Sequence, residues 1–152
     1  MKKFCLISLI ALTLVVIAPA AARAQGGAKQ GPDVVRDPEM EKDSLHNLEV
    51  ARQYFKLRKA YKASLARCEE IIAGNPTFSK IDEVLLIAGQ SSLRLSENKG
   101  KQAVKTATDK LREDAREYLS LLVNNYPDSR FKDEALEQLK SLGGPKAKDS
   151  KQ

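Results

Sequence analysis

Two stretches of this chain, 51 residues apart, carry the same pattern, and that pattern restricts the fold more than any other feature. Ala115, Leu119, Leu122 and Pro127 stand at fixed helical offsets, and Ser64, Cys68, Ile71 and Pro76 repeat them upstream. A small residue followed by apolar residues four and seven on puts one stripe on one helix face. Proline twelve on stops the helix, because it has no amide to donate and its ring collides with the preceding turn. The echo continues past the proline, Asp82-Glu83 against Asp133-Glu134.

This is the pattern of the second helix of a tetratricopeptide unit. The expected fold is all-α: two tetratricopeptide-like helical hairpins in a right-handed stack, closed by a C-terminal helix. The first helix is expected from Asp43 or Ser44, either of which accepts the free amides of a first turn. It carries two apolar stripes, Leu45, Leu48 and Phe55 on one and Val50, Tyr54, Leu57 and Tyr61 on the other, which implies two neighbours. A second helix from about Tyr61 to Ala73 buries Tyr61, Leu65, Cys68 and Ile72 and stops at Gly74-Asn75-Pro76. Ser79 followed by Asp82 opens a third, to about Ser96, with Ile81, Val84, Leu85, Ala88, Ser92 and Leu95 inward. Gly89 inside it marks close helix contact, since glycine there is on the order of 1 kcal/mol worse than alanine.

A spacing of 51 exceeds the ideal of about 34, so roughly seventeen extra residues must precede the fourth helix. Asn98 to Thr108, with Lys99, Gly100, Lys101 and Lys105, supplies most of them, as a solvated connector or a basic contact loop. Helix four is expected from Asp109 to Asn125. A fifth, carrying Phe131, Ala135, Leu139 and Leu142, ends at Gly143-Gly144-Pro145.

Residues 1–24 read as a cleavable signal peptide: Lys2-Lys3, an apolar run from Phe4 to Ala18, then the small-residue site Ala22-Arg23-Ala24. An uncleaved anchor is the alternative. Residues 25–42 are expected to be a flexible leader, 43–143 the helical domain and 144–152 a disordered tail. Cys5 lies at the front of the apolar run, not behind it, so no lipid anchor is expected. Cleavage leaves Cys68 without an intramolecular partner, and its place in the repeat suits a core filler.

Removing the signal takes away three of 26 basic residues and none of the 20 acidic ones, so the net charge falls from +6 to +3. With no Trp and 5% aromatic residues, the chain lacks the character of a nucleic-acid binder. Catalysis is equally unsupported. His46 is the one histidine and has only Glu49 as a nearby companion, and no phosphate loop, nucleophile elbow or metal-ligand spacing accompanies it. No cofactor or metal is expected.

Asn75-Pro76-Thr77, Ile81-Asp82, Gly89, Ala115-Arg116-Glu117-Tyr118 and Tyr126-Pro127-Asp128-Ser129-Arg130-Phe131 resemble the BamD-like family of tetratricopeptide lipoproteins, over about Leu48 to Leu142. The resemblance implies an outer-membrane-facing scaffold that helps assemble β-barrel proteins. Members carry about five repeats and a lipid-modified cysteine, whereas this chain shows two repeats, a closing helix and no acylatable cysteine.

Binding is then the expected activity. First helices of successive hairpins line the concave face, which nominates His46, Glu49, Gln53 and Lys56 on helix one and Glu83, Leu86, Gln90 and Leu93 on helix three. They would form a polar wall with an apolar strip, suited to an extended or helical peptide; alternatively Leu86 and Leu93 pack on the neighbouring hairpin. Expected partners are envelope proteins or peptides, barrel-assembly subunits among them, with a second copy of the chain another way to complete an open stack. The expected location is periplasmic or secreted. The rival readings are a cell-envelope or cell-division coordinator, a structural subunit and a small envelope enzyme.

Overall fold

The computed structural model describes residues 35–102 and 105–147. They form five α-helices, α1 (Pro38–Gln53), α2 (Tyr61–Gly74), α3 (Ile81–Ser96), α4 (Thr108–Asn125) and α5 (Lys132–Lys140), with no strand among them. The fold is all-helical and tetratricopeptide-like: α1 pairs with α2, α3 with α4, and α5 closes the stack against α4. The expected signal segment and most of the leader lie outside the described residues.

The duplicated pattern forms the inside of both hairpins. Ser64, Cys68 and Ile71 are buried on α2, and Ala115, Leu119 and Leu122 on α4. Each small residue meets a small residue on the partner helix. Ser64 Oγ donates to the Ala51 carbonyl at 3.0 Å, and a Cβ on Gly89 would stand 3.3 Å from the Ala115 carbonyl oxygen and 2.6 Å from Leu119 Cγ. Gly89 therefore admits α4 to a distance that alanine would contest. On α2 it is Ile71 rather than Ile72 that is fully buried, while Ile72 spans the two core clusters.

Helix α3 is the central element, buried almost all round. Ile81, Val84, Ile87 and Ala88 enter a cluster with Leu48, Ala51, Cys68, Ile71 and Phe78. Leu85 and Leu86 turn to a second cluster with Leu119, Leu122, Ala135 and Leu139. A run of five apolar residues, Val84 to Ala88, is what lets one helix serve two cores.

Two six-residue turns brace the stack. Asn75 Nδ2 donates to Ser44 Oγ at 3.1 Å and the Ser79 amide to Glu41 Oε1 at 3.1 Å, tying the α2–α3 turn to the start of α1. In the matching α4–α5 turn, Ser129 Oγ donates to Asp82 Oδ2 at 2.6 Å, at the start of α3.

Three boundaries differ from expectation. Helix α1 begins at Pro38, not at Asp43 or Ser44, so the supposed leader already contributes its first turn. Asp37 Oδ1 accepts from the Glu39 amide at 2.9 Å, and proline at the first helical position sacrifices no hydrogen bond. The far end of α1 widens into a π-helical turn, Tyr54–Arg58, stopped by Lys59 at φ 50°. Of the expected disordered tail, Gly144 to Lys146 are held on α4. Arg116 Nε donates to the Gly144 carbonyl at 2.8 Å, Asn124 Nδ2 to the Lys146 carbonyl at 3.0 Å, and the Lys146 amide to Ser120 Oγ at 2.8 Å. Gly143 and Gly144, at φ 87° and 83°, make the reversal that brings this strap back.

Candidate interaction surface

Helices α1, α3 and α5 share one face, where polar side chains join them outside the apolar clusters. Arg52 on α1 donates from Nε and Nη2 to the two carboxylate oxygens of Glu83 on α3, each at 2.7 Å. Arg52 Nη1 also reaches Glu49 at 3.1 Å, and Arg130 lies 3.7 Å from Glu83. Further along, Gln90 Nε2 donates to Glu134 Oε1 at 2.6 Å, joining α3 to α5.

Burial pushes the Glu83 carboxyl up, but the Arg52 hydrogen bonds and charge, with Arg130 and Lys80, outweigh it and hold the group below its ordinary value. Glu83 is thus an ionised crosslink between helices.

His46, Glu49, Gln53 and Lys56 are all exposed, along one side of α1 and its π-helical end. The opposite side holds Leu48 and Ala51, both fully buried. A helix so divided presents three turns of polar side chains to solvent.

The α3 half of the expected wall is different. Glu83 is 8% exposed and engaged by Arg52, and Leu86 is 5% exposed within the α4–α5 cluster. Neither lines an open surface, and the expected apolar strip does not form. The cause is α5, whose Ala135 and Leu139 share the second cluster with Leu86. Gln90, bonded to Glu134 of α5, and Leu93, outside that cluster, are half-buried.

Sequence reasoning passed over Arg52, Arg130 and Glu134, which organise this face. Arg52 had a signal, since it follows Glu49 by three residues on one helix face. The pairing of Arg130 and Glu134 with α3 had none, because it depends on where α5 packs.

The other side of the stack is built differently. Tyr118 OH on α4 donates to Glu69 Oε1 on α2 at 3.2 Å, and burial, then Glu69, push its phenol up. Cys68 is a free, fully buried thiol, raised first by burial and then by Glu69 and Glu83. Among the described residues no three His, Cys, Asp or Glu side chains gather as metal ligands do, and no helix is long and apolar enough to cross a membrane.

Residues 36–147 match the model of a family named YfiO and described as outer membrane lipoprotein. No curated protein and no solved structure matches the chain.

Proposed function

Since the chain belongs to the YfiO family of outer membrane lipoproteins, we propose that it is a non-enzymatic envelope adaptor that holds a partner in outer-membrane protein assembly on its α1–α3–α5 face. The observation that carries this reading is the solvent side of α1. His46, Glu49, Gln53 and Lys56 make a continuous exposed row on a helix anchored rigidly from behind. Gln90 and Leu93 continue the face on α3.

Such a row offers donors, acceptors and both signs of charge at helical spacing, which suits an extended or helical peptide of an envelope protein. The Arg52–Glu83 pair keeps the row in place. The reading sets the protein at the periplasmic side of the outer membrane, reached by the signal-like segment 1–24, with barrel-assembly subunits as its partners.

The test is retention of outer-membrane assembly components from solubilised envelopes on the immobilised chain, compared with His46→Asp/Gln53→Arg. Both positions are exposed, so the variant keeps the fold. Retention lost in the variant supports the reading; equal retention, or none by either protein, contradicts it.

A further inference from the structure

Where the first hairpin turns, the chain builds a corner of unusual composition. The π-helical turn Tyr54–Arg58 carries Leu57 at 81% exposure, and around it stand Lys56, Arg58, Lys59 and Lys62, all exposed. No acidic residue occurs between Phe55 and Cys68. The connector after α3 joins them. Gly100, at φ 106°, sits so close that a Cβ there would stand 2.9 Å from both the Lys59 carbonyl oxygen and the Tyr61 ring. That contact brings Lys99 and Lys101 to the same corner, and from Asn98 to Thr108 the connector has no acidic residue either. One nearby carboxylate, Glu97, engages Lys99 at 2.9 Å and Arg94 at 3.5 Å. Arg58 lies over the Tyr54 ring, 5.7 Å from its centroid.

We propose that this corner is a peripheral membrane-docking point for an anionic phospholipid surface, with Leu57 entering the headgroup region and the six basic side chains meeting lipid phosphates. The site goes beyond the adaptor reading, since it takes a different ligand and meets the α1 row only at Lys56, where that row ends. Three observations favour lipid over an acidic protein. Leu57 protrudes, and a bilayer interface receives a protruding apolar side chain without a matching cavity. The surrounding charges are mostly lysines, long and weakly directional, where protein hot spots favour aromatic and arginine anchors. And the basic residues come from two segments 40 residues apart in sequence, held together by the Gly100 contact, so the charge is a built feature of the fold and not a run in one helix. Each basic residue near an anionic leaflet strengthens binding about fivefold.

The position of Lys59 offers a clean control. A left-handed φ favours glycine, so Lys59→Gly relieves strain while removing one charge.

The chain has no tryptophan, so Leu57→Trp in the full-length protein places its only indole at the corner. The readout is local to residue 57, and vesicles of pure phosphatidylcholine control for binding through the apolar run near the N-terminus. With vesicles of phosphatidylglycerol in phosphatidylcholine the emission is expected to shift to the blue, and added salt to reverse the shift. Lys59→Gly in the same background is expected to raise the lipid needed about fivefold, and Lys59→Glu/Lys62→Glu by at least about 25-fold. No shift with anionic vesicles overturns the proposal, as does an equal shift with pure phosphatidylcholine. A shift with soluble polyglutamate but not with vesicles also overturns it, and would make the corner a protein-binding site.

Discussion

Gly89 stands against Leu119 so closely that a Cβ on the glycine would lie 2.6 Å from Leu119 Cγ and 2.8 Å from its Cδ2. Leu119 is fully buried, so it has little room to yield. Gly89→Ala gains about 1 kcal/mol of helix propensity but overpacks the α3–α4 contact by about 1–3 kcal/mol. The expected result is a net loss of about 1 kcal/mol, and a larger one for Gly89→Val, read as a lower urea midpoint with unchanged slope.

The Arg52–Glu83 pair crosslinks the two hairpins. Arg52→Ala would leave a nearly buried carboxylate without its main partner. Removing one member of a buried pair is worth about 3–5 kcal/mol. Partial access of water to both side chains reduces this to about 2 kcal/mol, measurable by chemical denaturation.

The same pair sets a pH dependence. The folded-state carboxyl of Glu83 titrates below its ordinary value, so its contribution is complete above the unfolded pKa of about 4.3 and is lost as pH falls through the lower folded value. Melting temperature is expected to fall on acidification below about pH 4.3 more steeply in the natural protein than in Glu83→Gln. Equal slopes would mean that Glu83 is not held ionised by Arg52.

Cys68 is buried and its thiol is pushed up, first by burial. In a Cys5→Ser background the folded protein is expected to resist thiol reagents at pH 8 and to react fully once unfolded. Rapid labelling under native conditions would show that the α1–α2 core opens readily.

The strap on α4 depends on left-handed glycines. Gly144→Ala, at φ 83°, is expected to lose about 1–2 kcal/mol of strap stability. Arg116→Ala removes the bond to the Gly144 carbonyl. Both variants should be cut faster by trypsin after Lys146, while the melting of α1–α4 changes little.

Much of this architecture was legible. The offsets at 64, 68 and 71 and at 115, 119 and 122 mark the buried positions of α2 and α4, because helical period and burial are one constraint. Gly89 was legible for the same reason: a glycine in a strong helical pattern needs a neighbour to explain it. The start of α1 was not. Pro38 falls in the stretch expected to be a flexible leader, although with Asp37 before it the pair is a cap and a first helical residue. The fate of Leu86 was hidden because α5, which covers it, arrives about 50 residues later in the chain. Leu93, seven residues on and chemically identical, lies beyond that cover. The strap was hidden likewise, since its bonds come from side chains spread over α4 and not from any pattern of its own.

The most direct measurement is site-specific photo-cross-linking in intact envelopes, with the photoreactive residue at Gln53 on the α1 row or at Ala66, exposed on α2. An adaptor working through its α1–α3–α5 face is expected to form a cross-link to an outer-membrane assembly component from position 53 and none from position 66. A cross-link from 66 with none from 53 would place the partner on the opposite side of the stack and contradict the account.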